Sequence, residues 1–289
     1  MKIFSSVVVC LMAYLFFTSF TGGNDKYGGV NLYTFREEMK KDAKGVLKQI
    51  SDAGYKYIED AGYADGKFNG MTPAEYKAYL AELGLVPASS HQGGISYDNV
   101  DQTIADVKAV GFEYLVVPIP PMGHFTYDAQ SRTMGMKGGA KNLAEMVNKL
   151  AEKCHKAGLK LLYHNHDFEF KTDADGVVPI DYLLQNTDPK YVNFEIDLYW
   201  AVKAGADPAQ YFKKYPGRFK AWHLKDMDDQ GRFAPVGKGK IDFVALAKLK
   251  SLAGLQYSFV EQDLTFDGML PLEAVTISHA NIGKLGFKK

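Results

Sequence analysis

The stretch Lys160-Leu-Leu-Tyr-His-Asn-His-Asp-Phe-Glu-Phe170 runs from an apolar segment straight into a group of imidazoles and carboxylates. Its first half reads as a buried strand, and alternation along a strand places Leu162, His164 and His166 on one side. Two histidines facing one way are either satisfied inside a core or aimed at something bound, and His-x-His spacing suits a metal ion. The rest of the chain decides between these readings by what it brings to the same place.

On either side of this strand, which spans about residues 159–166, seven more short β-type runs alternate with helical segments. They lie near residues 29–35, 55–62, 85–91, 114–120, 191–199, 219–225 and 257–263. The intervening helices carry clear boundaries. Thr72-Pro73-Ala-Glu75 is a capping box with proline in the first turn, and Asp207-Pro208 repeats the start signal. Leu143, Met146, Val147, Leu150 and Cys154 form a helical stripe that stops at Gly158. Ala53-Gly, Leu83-Gly, Val110-Gly and Ala157-Gly each close a helix just before a strand, glycine supplying the left-handed turn. Eight such strand-helix units predict a closed (β/α)8 TIM barrel rather than an open doubly wound sheet. No Gly-x-Gly-x-x-Gly motif follows a strand and no phosphate-binding loop is present, which removes the common nucleotide-binding folds.

In such a barrel the chemistry gathers at the C-terminal strand ends. Those ends carry Glu59, then His91, then His164, His166 and Glu169, then Glu195, Asp197 and Trp200, then Trp222, His223 and Lys225, and finally Glu261 and Asp263. A mixed shell of carboxylates and imidazoles is what a hard or borderline divalent cation takes. Two connections, 121–140 and 227–240, are long and glycine-containing, and are candidates for a cover over the site.

The ends of the chain and its charge narrow the setting. Met1-Lys2, an apolar run over residues 7–20 and Thr21-Gly22-Gly23 read as a secretory signal peptide covering residues 1–24, with residues 25–289 as a single barrel domain. The run is short of the ~20 apolar residues that a membrane span needs, so the mature protein is expected to be exported, periplasmic or secreted, and free of the membrane. Cys154 then has no intramolecular partner, and packing alone holds the fold. Lys plus Arg equals Asp plus Glu at 34 each, which leaves no electrostatic footprint for nucleic acid.

His164-Asn-His-Asp-Phe-Glu-Phe170, Asp197-Leu-Tyr-Trp200, His223-Leu-Lys-Asp226, Gly237-Lys-Gly-Lys-Ile-Asp242 and the late Glu261 together resemble the xylose-isomerase-like barrel superfamily of sugar isomerases and epimerases. The resemblance spans essentially the whole mature chain and implies one divalent metal ion (Mn, Co, Mg or Zn) held by residues from strands five to eight. Carried over by motif, Asp197, His223 and Glu261 match three ligands. The fourth is normally a glutamate on strand five, where this chain has His164, with Glu169 as the substitute. Glu261 is implied as the catalytic base that forms an enediolate from a keto sugar, with His166 or Lys225 moving the second proton. Glu59, His91, Glu169 and Trp200 are expected to contact the substrate.

Isomerisation or epimerisation is the leading expectation. The family's epimerases use metal-bound glutamates on opposite faces of the substrate, and His164 breaks that pattern. A 3-keto-glycoside lyase or hydratase using the same metal site is therefore the alternative, and a non-catalytic sugar-binding protein is the alternative from another class. A barrel relative that repairs abasic DNA has more metal ligands than this chain offers. A homo-oligomer is compatible with the sequence.

Overall fold

A computed structural model describes residues 26–288 apart from residues 132 and 174; the expected signal peptide, with Cys10, lies outside the described residues. Eight parallel strands close into a barrel. They are β1 (Tyr27–Asn31), β2 (Tyr55–Asp60), β3 (Val86–His91), β4 (Tyr114–Val117), β5 (Lys160–His164), β6 (Val192–Asp197), β7 (Phe219–Leu224) and β8 (Tyr257–Val260). The strands pair in chain order, and β8 returns to β1 through the Gly29–Phe259 register. A Cβ at Gly29 would stand 2.7 Å from the Ser258 carbonyl and closer still to the Phe259 ring, so glycine is what lets the last strand close on the first.

Helices wrap the outside. The main ones are α1 (Arg36–Asp52), α2 (Pro73–Glu82), α3 (Val100–Val110), α4 (Gly139–Ala157) and α5 (Pro179–Asn186). They are followed by α6 (Leu198–Lys203), α7 (Pro208–Lys214), α8 (Phe243–Ala247), α9 (Lys250–Ala253) and α10 (Pro271–Ile282). The capping box at Thr72 forms, with Glu75 returning a bond to the cap backbone. The four glycines read as helix stops, Gly54, Gly84, Gly111 and Gly158, all have positive φ, between 66° and 103°. The α4 stripe from Leu143 to Cys154 is buried against the sheet, and burial raises the Cys154 thiol to about 12, so it stays an inert apolar filler.

Two cores result. The larger lies between sheet and helices, and a smaller one of Ala88, Tyr114, Val116, Leu162, Ala221, Tyr257 and Phe259 fills the barrel interior. Leu162 faces inward, as alternation predicts, and so carries His164 inward two residues later.

The strands are shorter than expected at their C-terminal ends. β1 gives way to a 3-10 turn at Leu32–Phe35, β6 hands over to α6 after Asp197, and β8 stops at Val260, one residue before Glu261. Backbone amides there are taken by side chains instead of a ladder: Asn31 and Asp197 each cap the turn that follows. The long connections are also partly ordered. Phe125–Asp128 pairs with Thr133–Met136, Asp226–Met227 pairs with Phe233–Ala234, and an unexpected small hairpin, Tyr63–Ala64 with Lys67–Phe68, follows β2. The 227–240 connection is folded back on Asp226, whose buried carboxylate accepts from the backbone N–H groups of Met227, Gly237, Gly239 and Ile241. Four bonds on one carboxylate hold this connection in place against the end of β7.

Candidate active site

Above the apolar floor of the barrel, the inward side chains turn polar on nearly every strand. Asn31, Glu59, His91, His164, Glu195 and His223 form one buried group, and Asp197, Lys225, Glu261 and Asp263 lie next to it on the β6–β8 side. His223 joins the two. Its Nδ1 is 2.7 Å from Glu261 Oε2, and its Nε2 is 2.5 Å from Glu59 Oε1 and 3.2 Å from Glu195 Oε2.

Lys225 carries the cation of the upper group. Its ammonium lies 2.6 Å from Glu261 Oε2, 2.9 Å from Asp197 Oδ2 and 3.0 Å from Asp263, while the rings of Trp200 and Phe233 stand 5.6 and 5.5 Å away. Burial alone would discharge such a lysine, but Asp197, Asp263 and Glu261 outweigh it and hold the ammonium protonated well above its usual range. Burial likewise raises Glu261, yet Lys225 and His223 overcome it and keep this carboxylate well below the ordinary range. A base that is ionised at every neutral pH and lies against a fixed cation is the result.

Asp197 has divided duties. Oδ1 accepts from the Trp200 N–H at the start of α6, whereas the buried Oδ2, close to Lys225, makes no well-directed hydrogen bond. One carboxylate oxygen is thus spent on the fold and the other is presented to the site.

The other expected residues fall in three places. Glu59 is fully buried and already bonded to His223, Asn31 Nδ2 at 2.7 Å and Ser89 Oγ at 2.5 Å, so its carboxylate is taken by protein. His91 lies between Glu59 and Glu195, at 3.1 and 2.9 Å; burial would lower it, but the two glutamates raise it to about 10. Glu169 lies elsewhere: it accepts from the Tyr163 hydroxyl at 2.7 Å and the His166 N–H at 2.8 Å, which shapes the turn after β5. His166 stands at the mouth, its ring 5.6 Å from Trp200; burial and then Lys225 lower it to about 3, which leaves it neutral. His166 Nδ1 and Trp200 Nε1 both lack a hydrogen-bond partner among the described residues. Trp222, by contrast, stacks on Phe212 outside the barrel and belongs to the core.

Glu169 supplies a test of this placement. Burial raises its carboxyl to about 8, above the usual 4.5, so the folded state holds a proton that the unfolded state has lost. Stability should therefore fall as pH rises from about 5 to 8, with a slope from this group of up to about 1.4 kcal/mol per pH unit. Glu169→Gln should flatten that decline in thermal unfolding; an unchanged pH profile would contradict it.

Two sets of donor atoms come close enough to take a cation: Asp197, His223 and Glu261 in one, and His91, His164, Glu195 and His223 in the other, each within 4.8 Å. His164 thus meets Glu195 (Nδ1 to Oε2, 3.1 Å), and it shares a set with His223 and not with Asp197 and Glu261. Glu195 was legible as a site residue, since it stands two residues before Asp197 on the same face of β6.

Residues 47–253 match the family model of the xylose isomerase-like TIM barrel. The chain belongs to that family. Xylose isomerase-like barrels form a superfamily of sugar isomerases and epimerases. Among relatives, the inosose dehydratase of Geobacillus kaustophilus (strain HTA426) is 30% identical over 71% of this chain and 74% of its own. Several other inosose dehydratases match over less than half of their own length. A sugar phosphate isomerase/epimerase from Parabacteroides distasonis ATCC 8503 superposes with a TM-score of 0.77 at 27% identity, over 93% of this chain and 97% of its own. The IOLI protein with a bound zinc atom shares the fold, with a TM-score of 0.66 at 14% identity over 90% and 97% of the two chains. Within this xylose isomerase-like barrel, the donor set of one imidazole and two carboxylates fits a divalent cation, and the unsatisfied Oδ2 of Asp197 is the atom that such an ion would complete. Among the described residues no helix is long and apolar enough to cross a membrane.

Proposed function

We propose that the protein is a divalent-metal-dependent lyase that eliminates a β-oxygen, as water or as an alcohol, from a cyclic polyhydroxy ketone: a keto sugar, its glycoside or a keto-cyclitol. The observation that carries this reading is the one-sidedness of the site. Asp197, Glu261 and Asp263 all surround Lys225 on the β6–β8 side, while the β5 side offers His164 and a neutral His166. Of the carboxylates near β5, Glu169 is committed to Tyr163 and the His166 backbone, and Glu195 is buried against His91, His164 and His223. Removal of a proton on one side has a base, and its return on the other has no matching carboxylate.

A cation held by Asp197, His223 and Glu261, with His164 at the strand-five position where the family has a glutamate, would polarise the substrate carbonyl and acidify the adjacent C–H. Glu261 takes that proton, and the electron pair it leaves forms the new carbon–carbon double bond. As the bond from the β-carbon to oxygen breaks, Lys225 gives its proton to the departing oxygen. Glu261, 2.6 Å away, then returns the abstracted proton to Lys225. The products are an unsaturated ketone and water or an alcohol, with no net gain or loss of protons. His166 Nδ1 and Trp200 Nε1 are free to bind substrate hydroxyls, and the Trp200 face supports a sugar ring.

The named inosose dehydratases support elimination, and the Parabacteroides neighbour favours the second reading, isomerisation or epimerisation at the same site. The proposal includes export by the leader, which would bring the protein to glycosides rather than to sugar phosphates. Protein stripped with chelator should lose at least nine-tenths of its turnover of 3-keto-glycosides or keto-cyclitols and regain it with manganese or cobalt. Binding of sugar without any product under all these conditions would instead mean a sugar-binding protein.

A further inference from the structure

The proposed reaction leaves a whole buried layer unused: Glu59, His91 and Glu195 beneath the carboxylates around Lys225. Glu59 and Glu195 are fully buried, and burying two carboxylates there is costly unless they do something for their neighbours. Their contacts are specific. Glu59 faces Nε2 of His223 at 2.5 Å, and Glu195 faces Nδ1 of His164 at 3.1 Å. A carboxylate oxygen only accepts, so the ring nitrogen facing it carries the hydrogen. His164 therefore carries its hydrogen on Nδ1. His223 faces carboxylates at both nitrogens, Glu59 at Nε2 and Glu261 Oε2 at Nδ1 (2.7 Å), and a cation taking Nδ1 together with Glu261 would displace the hydrogen there and leave the one held by Glu59 on Nε2.

We propose that Glu59 and Glu195 are positioning residues that fix His223 and His164 in opposite tautomers, leaving Nδ1 of the first and Nε2 of the second as the nitrogens that meet a cation. The proposal rests on the metal-dependent reading above and goes beyond it. His223 Nδ1 is the nitrogen that shares the donor set with Asp197 and Glu261. For His164, Nδ1 is the ring nitrogen with a partner among the described residues, and Nε2 has none. Glu59 is itself held by Asn31 and Ser89, and His91 contacts both glutamates with one nitrogen, which ties the two into one rigid unit. The two imidazoles are 4.5 Å apart and tilted by 59°, and a ring flip in either would take the donating nitrogen away from its own carboxylate partner.

This arrangement explains why the strand-five position tolerates histidine. A glutamate needs no tautomer, but an imidazole presents a lone pair on the chosen side only if something else takes its other nitrogen. Glu195 does so, two residues before Asp197 on the neighbouring strand.

The direct test is long-range proton–nitrogen NMR of the histidine rings in the full-length, zinc-loaded protein, with assignment by His164→Gln and His223→Gln. Hydrogen on Nδ1 in His164 and on Nε2 in His223 is the expected result; the same nitrogen protonated in both overturns the proposal. Glu195→Gln and Glu59→Gln should each keep one zinc per chain but weaken its binding by about 10- to 100-fold. Affinity within twofold of wild type overturns it, as would two zinc ions in wild type falling to one in Glu195→Gln, which would make Glu195 a ligand. Zinc bound with the wrong tautomers would overturn this inference alone, whereas failure to bind zinc, manganese or cobalt would overturn the metal-dependent reading as well.

Discussion

Glu261→Gln should lower turnover by about 10²- to 10⁴-fold, the range that loss of a positioned general base commands. The substitution preserves volume, so neither the barrel interior nor the end of β8 needs to repack. It removes the group that takes the proton and weakens the contact through which Lys225 is reprotonated, 2.6 Å away. Because Glu261 is also a candidate ligand, the assay needs saturating manganese or cobalt, so that weaker cation binding is not mistaken for lost chemistry. Asp263→Asn is the control: it touches Lys225 from the outer side and should cost far less. Equal losses in the two variants would mean that the carboxylates act only as a charge cluster.

The second large effect concerns stability. Lys225→Met in chelated protein should cost about 3–5 kcal/mol, since truncating one member of a buried ion cluster leaves the others uncompensated. Three carboxylates are left facing one another: Asp197, Glu261 and Asp263. A divalent cation bound to Asp197 and Glu261 would neutralise most of that repulsion, so the cost should shrink by at least half when thermal unfolding is repeated in manganese. Turnover should fall in both conditions. An identical loss of stability with and without metal would show that no cation enters between those two side chains.

Much of the fold was legible because its signals are local. A glycine after each helix, a capping box at Thr72 and apolar runs at regular spacing define eight strand-helix units, and closure follows from their number. The strand ends were read too long because Asn31 and Asp197 look like strand continuations and act as caps. Of the site, Asp197, His223, Glu261 and Lys225 come together as their strand positions require. The pairing of His164 with Glu195 was hidden, since neighbouring strands bring together residues about thirty apart whose register depends on the barrel's stagger. The same holds for Asp226: nothing local says that its carboxylate will fold the following connection onto itself. Glu59 and Glu169 were expected at the substrate because acids at strand ends commonly reach it, but His223, Ser89 and Tyr163 claim their oxygens first.

The claim that elimination, and not proton return, follows abstraction by Glu261 is most directly tested in deuterium oxide. Wild-type protein with manganese or cobalt would be given a panel of free ketoses, keto-cyclitols and 3-keto-glycosides and followed by proton NMR. The account predicts an unsaturated ketone with released water or aglycone, no build-up of deuterated starting material, and no such product from Glu261→Gln. Deuterium incorporated into an epimerised or isomerised free sugar, with no unsaturated ketone from any substrate, would contradict it and show that the histidine on β5 does not prevent return of the proton.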